Sequence, residues 1–175
     1  MATYKLDPTH SEVTFKVKHM MITNVTGNFS EFDAQMHSEK DDFTDAKVHF
    51  EADVNSISTH NEQRDEHLKS EDFFAADKFP KISFESTDMQ KINDEEYKLM
   101  GNITVRDVTK PITFNVEYGG TQTDPYGNVK SGFTLAGKIS RKEFGLNWNA
   151  VTEAGGVVVS DDVRLNAEIQ MVKQA

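Results

Sequence analysis

Ala46-Lys47-Val48-His49-Phe50-Glu51-Ala52-Asp53-Val54-Asn55 alternates apolar and polar residues without a break. Successive side chains of a strand point to opposite faces, so this stretch is a strand with one dry and one wet side. The same beat recurs as Val13, Phe15, Val17, as Phe32, Ala34, Met36, and as Ile82, Phe84. It returns as Leu99, Gly101, Ile103, Val105, then as Ile112, Phe114, Val116 and as Phe133, Leu135, Gly137, Ile139. Val163, Leu165, Ala167, Ile169 and Met171 complete it. The pattern predicts an all-β, antiparallel protein whose dry faces meet. Six of the twelve phenylalanines (Phe15, Phe32, Phe50, Phe84, Phe114, Phe133) fall on the dry beat. Such an interior of large rings is either packed solid or holds something apolar.

Turn chemistry separates the strands. Asp124-Pro125-Tyr126-Gly127 has the residue order of a type I turn. It lies in a polar connection, 119–130, expected to join strands 111–118 and 131–140. Asn93-Asp94-Glu95 divides 81–90 from 97–105, and Asp107-Val108-Thr109-Lys110-Pro111 joins the next pair. Sequential hairpins make an up-and-down meander. First and last strands are expected to pair, since closure removes exposed edges, leaving about eight strands. One segment departs from the beat. Thr59-His60-Asn61-Glu62 reads as a capping box opening a helix over about 60–69, and Ser70 caps a further turn carrying Phe73 and Phe74.

The chain has 175 residues, 27% of them charged and 37% hydrophobic, which fits one soluble domain over 1–175. A net charge of −10 disfavours nucleic acid and anionic membrane surfaces, whose affinity comes from Lys and Arg. The chain contains no cysteine, so disulfides and thiolate metal sites do not arise. Lys5, Asp7, His10, Glu12, Lys16 and Lys18 interrupt residues 1–25, and no run approaches the roughly 20 apolar residues that span a bilayer. The expectation is a cytoplasmic protein without stable membrane insertion, or a periplasmic or secreted one had a leader been removed. Oligomeric state stays open between monomer and homodimer.

Catalytic signatures are sparse. His60 and His67 stand seven apart on the predicted helix, about 10 Å of rise, too far to share one ion. The other histidines are scattered, so neither metal nor cofactor is expected. There is no G-x-S-x-G elbow. The acidic clusters Asp41-Asp42, Asp94-Glu95-Glu96 and Asp161-Asp162 lie where turns are expected, and Gly155-Gly156 reads as a hairpin or bulge device. What remains is Arg64-Asp65-Glu66-His67-Leu68 with Phe73-Phe74. This is either an exposed charged helix with two anchoring rings, or a lid. In the lid reading Arg64 and His67 meet a polar head group while Leu68, Phe73 and Phe74 meet its tail.

Those motifs, with Asp7-Pro8-Thr9-His10-Ser11, Val25-Thr26-Gly27-Asn28-Phe29, Phe79-Pro80-Lys81-Ile82-Ser83-Phe84, Val108-Thr109-Lys110-Pro111 and Ser140-Arg141-Lys142-Glu143-Phe144-Gly145-Leu146, give the chain its likeness. It resembles the YceI-like family of polyisoprenoid-binding, lipocalin-shaped proteins over nearly its whole length. Tyr4 stands where many members carry Trp, and Asp107 where Gly is usual. The resemblance implies an extended eight-stranded antiparallel barrel with a short helical segment near 60–76. It also implies an elongated apolar cavity for an isoprenoid lipid, a quinone or another long-chain amphiphile.

Three functions follow as expectations. The first is a non-enzymatic carrier or store, with Phe15, Phe32, Phe50, Leu68, Phe73, Phe74, Phe84, Phe114, Phe133, Leu135 and Trp148 on the tail and Arg64, His67 and Arg141 on the head group. The second is an enzyme at the barrel mouth with His67 as general base, assisted by Asp65 or Glu66. The third is a solid-cored barrel acting through its acidic surface.

Overall fold

Interior positions carry Val, Ile, Leu and Phe on every second residue, and the chain folds to bury that side of each strand in turn. The structure, a computed structural model, describes residues 2–20, 22–146 and 159–174. Eleven strands are described: β1 (Ala2–Leu6), β2 (Glu12–His19), β3 (Thr23–Phe29), β4 (Phe32–Ser38), β5 (Lys47–Asp53) and β6 (Ile57–Ser58), followed by β7 (Lys81–Lys91), β8 (Glu96–Val105), β9 (Val108–Thr123), β10 (Val129–Ser140) and β11 (Asp162–Lys173). One α-helix, α1 (Glu62–Lys69), lies between β6 and β7.

The ring runs β1-β4-β5-β7-β8-β9-β10-β11 and closes where β11 pairs β1, making an eight-stranded antiparallel barrel. β11 also pairs β2, through Leu165 opposite Phe15 and Ala167 opposite Val13. β1 and β2 are thus two halves of one long strand, broken by a turn at Pro8–His10. Asp7 pins the break. Its carboxylate accepts from Thr9 Oγ1 (2.8 Å) and Lys130 Nζ (3.0 Å) and pairs with His10 Nδ1 (2.9 Å). Burial of its charge pushes the carboxyl pKa up, but those hydrogen bonds outweigh it and hold the group well below the usual carboxylate range. β3 and β4 form a second long strand, with β3 pairing β2 and β4 pairing β1.

The structure moves several boundaries, each for a local reason. β5 stops at Asp53 because that side chain accepts from Asn55 N–H (3.0 Å) and turns the chain into a short 3-10 helix, so Val54 and Asn55 leave the beat. The 119–130 connection shrinks to a tight turn. At Gly120, φ is +107°, and Gly120 pairs Gly132 while Tyr118 pairs Phe133. Glycine can take that angle, so the strand bulges and continues to Thr123. The predicted turn survives at its centre, with Gly127 N–H donating to the Asp124 carbonyl (3.1 Å). β9 begins at Val108, so the joining turn is shorter than expected. Pro111 sits opposite Asn102 of β8, beyond the part of β9 that β10 pairs, where its missing N–H breaks no second ladder. The helix starts at Glu62, capped by Asn61 Oδ1 accepting from Arg64 N–H (3.0 Å). Thr59 is not that cap; its hydroxyl donates to Asp65 Oδ1 (2.6 Å).

Candidate functional site

The interior of the barrel is a lumen of about 230 Å³. A water needs only about 10 to 15 Å³ on the same measure, so this is far more than a packing defect. Among the described residues its wall is lined by apolar atoms, with Arg141 and Asn166 the two polar residues in it. From Val163 to Met171, both in the wall, β11 advances about 26 Å, or roughly 20 Å along the axis at usual barrel tilts. The lumen is therefore elongated.

Glycines help to keep it open. A Cβ on Gly27 would lie 2.2 Å from Phe15 Cζ, one on Gly101 2.6 Å from Phe84 Cζ, and one on Gly137 2.7 Å from Phe114 Cδ1. Each ring thus lies flat on a bare patch of the adjoining strand instead of reaching across the lumen. Phe84 and Phe114 meet edge to face at 5.4 Å, a favoured ring geometry.

The barrel end reached by the β6–β7 connection is covered by α1 and residues 70–79. Phe74 N–H donates to the Leu68 carbonyl (3.0 Å) and Ala76 N–H to that of Lys69 (2.9 Å), folding the segment back under the helix. Leu68, Phe73 and Phe74 thereby join the lumen wall. The helix carries no wide apolar stripe, and this segment supplies the apolar surface it lacks.

The remaining sequence candidates fall in different places. Phe15, Phe50, Phe84, Phe114, Phe133 and Leu135 are in the wall. Phe32 is not among the wall residues, and its ring rests against Phe50 at 6.2 Å. Trp148 and the Gly155-Gly156 pair lie outside the described residues. Arg64 turns back on its own helix start, donating from Nε to Thr59 Oγ1 (2.7 Å) and from Nη2 to the Thr59 carbonyl (2.7 Å). His67 Nε2 meets Asp72 Oδ2 at 2.8 Å, with the imidazole edge-on to Phe73. Asp65 is committed to the Thr59 N–H and hydroxyl.

Arg141 is the sharpest contrast with the head-group expectation. It is 2% exposed, and its guanidinium donates to the carbonyls of Ser160 (2.9 Å), Val159 (3.1 Å) and Leu146. Burial pushes its pKa down while Asp161 opposes the shift. A planar fork with five donors suits such a convergence of carbonyls. Arg141 ties the end of β10 to the start of β11 while its stem lines the lumen.

Sequence reasoning missed Phe43 and Met89. Phe43 is the only aromatic between Lys40 and Ala46, yet it is 3% exposed. A lone ring among acidic turn residues was its signal. Met89 lies off the Ile82, Phe84 parity because the ladder shifts between Ser86 and Asp88, a bulge that returns an odd-numbered residue to the wall.

A profile described as YceI-like domain matches residues 4–171. UPF0312 protein SA2479 of Staphylococcus aureus (strain N315) is 36% identical over 171 residues, covering 97% of each chain. The solved Campylobacter jejuni YceI protein is 34% identical with a TM-score of 0.77, again over 97% of both. More distant in sequence, a polyisoprenoid binding domain from Saccharophagus degradans shares the fold at 13% identity and a TM-score of 0.70, covering 98% of each chain.

Proposed function

With membership of the YceI-like family as the premise, we propose that this protein binds, and carries or stores, a long-chain amphiphile in its lumen without chemically transforming it. The proposed class is a polyisoprenoid lipid or an isoprenoid quinone. The observation that carries the reading is an elongated space, inside a closed barrel, whose wall among the described residues is lined by apolar atoms. Burying an apolar tail there gains about 25 cal/mol per Å² of area removed from water. No ordering of directional partners is required, so many tails of similar girth will fit.

The fold shared with a domain described as polyisoprenoid binding supports the class of ligand. The distribution of polarity supports a barrel that holds lipid inside. Val48, Phe50 and Ala52 line the lumen, while Lys47, His49, Glu51 and Asp53 alternate with them, the reverse of a barrel that faces a bilayer. An open lumen is also not what the solid-cored alternative expects.

Catalysis is the less supported role. His67 is paired with Asp72. Of the two suggested assistants, Asp65 is committed to Thr59 and Glu66 lies 3.6 Å from Lys69. The test is organic extraction of purified protein, with mass spectrometry of the extract and uptake of an isoprenoid quinone by the stripped protein. Bound lipid in the extract and stoichiometric uptake are expected. Repeated absence of both would overturn the proposal.

A further inference from the structure

At the barrel end away from α1, the chain leaves β4 at Ser38 and returns into β5 at Lys47. The intervening loop folds across the opening and drops one ring into it. Phe43 meets Tyr4 at 5.7 Å, Tyr118 at 5.6 Å and Phe133 at 5.4 Å, edge to face in each case. Phe133 is itself part of the lumen wall. Behind Phe133, outside the wall itself, Phe43 with Tyr4 and Tyr118 against it forms a floor at this end of the barrel.

Resting on the carrier reading, we propose that this floor, centred on Phe43, fixes the longest hydrocarbon tail the protein accepts. The loop is built to hold still. The Asp45 carboxylate accepts from Ser38 Oγ (2.7 Å), Glu39 N–H (2.8 Å) and Lys40 N–H (3.2 Å). From the barrel side, Tyr97 OH donates to the Asp42 carbonyl (2.8 Å). Phe43 sits at φ +61°, a left-handed angle that a bulky residue keeps only where its surroundings impose it. A clamped ring in an unfavourable backbone state behaves as a stop, not as a door. The tail's entry is placed at the opposite end, where Leu68, Phe73 and Phe74 of the covering segment line the lumen, and its tip at the floor.

The test uses isoprenoid quinones that share one head group and differ by single prenyl units, scored by competition against a radiolabelled short-tailed member. For the parent, each added unit tightens binding roughly tenfold or more while it is buried, and the gain ends at a definite length. Phe43→Ala is expected to move that break to tails longer by at least one unit. Phe133→Leu, which removes the wall ring against that floor, reads the same boundary should Phe43→Ala fail to fold. A break that stays in place in a folded variant still binding the short tails overturns the stop and leaves the carrier reading standing. A parent that binds no member of the series overturns both.

Discussion

Two alanine substitutions that are chemically identical should differ sharply in cost if the lumen is open. At Gly101 the new Cβ would lie 2.2 Å from the Glu85 carbonyl oxygen, so β7 or β8 must shift by about 1.2 Å to restore ordinary contact at 3.4 Å. Main chain within a ladder does not yield cheaply. Overpacking of this kind costs about 1 to 3 kcal/mol, and Gly101→Ala belongs at the upper end. At Gly137 the closest obstacle is the Phe114 ring at 2.7 Å, which must retreat by only about 0.7 Å. It retreats into empty space. That cost, below about 1 kcal/mol, is offset by the roughly 0.4 to 1 kcal/mol that replacing glycine gains through the unfolded chain. Neither glycine has a positive φ that would oppose alanine. Urea unfolding should therefore place Gly137→Ala near the parent and Gly101→Ala about 2 kcal/mol or more below it. In melting temperature that is about 4 to 8 °C for a chain of this size. Equal losses at the two sites would mean that Phe114 has nowhere to go, and would refute an open lumen.

Other outcomes follow from the same geometry. Arg141→Ala strips the donors from three carbonyls, two of these bonds buried, and should cost about 3 kcal/mol or more in denaturant unfolding; unchanged stability with altered head-group selectivity would return Arg141 to the mouth. Hydrogen bonds from Ser38 first, then Glu39 and Lys40, hold the Asp45 carboxyl down to about 2 from 3.8. A lowered folded-state pKa contributes stability that is complete above the unfolded value and is lost as pH falls through the folded one. Asp45→Asn should thus be less stable than the parent at neutral pH, with a flatter decline between about pH 4 and 2 in an acid titration followed by circular dichroism. His67→Ala breaks a half-exposed pair with Asp72 and should cost less than about 1 kcal/mol; any turnover by the parent that this variant abolishes would revive the enzymatic reading.

The barrel was legible because its strands obey one period. Val48, Phe50 and Ala52, or Val163 through Met171, declare the inner face without help from tertiary context. The illegible parts are those where a single residue changes parity or where polar side chains choose among backbone partners. Gly120 hides a bulge that reads as a turn, and the shift at Ser86/Asp88 moves Met89 inward. Arg64 and Arg141 look like ligand-facing cations in a linear motif, yet both turn to carbonyls of their own chain. Spacing along one strand or helix says nothing of such distant acceptors. Phe43 was hidden for a related reason, since its loop is polar and only the closure of the barrel creates the space its ring fills. Spacing left the segment that holds Leu68, Phe73 and Phe74 open between an exposed charged helix and a lid, and only the folded chain puts those three side chains in the lumen wall.

The central claim is that a hydrocarbon tail occupies the barrel axis, and a crystal structure of the stripped protein reloaded with an isoprenoid quinone addresses it most directly. The account predicts continuous tail density running from Leu68 and Phe73, past Phe84 and Phe114, to Phe133. Density for the quinone confined to the outer surface, with the phenylalanine rings meeting across the axis, would contradict it.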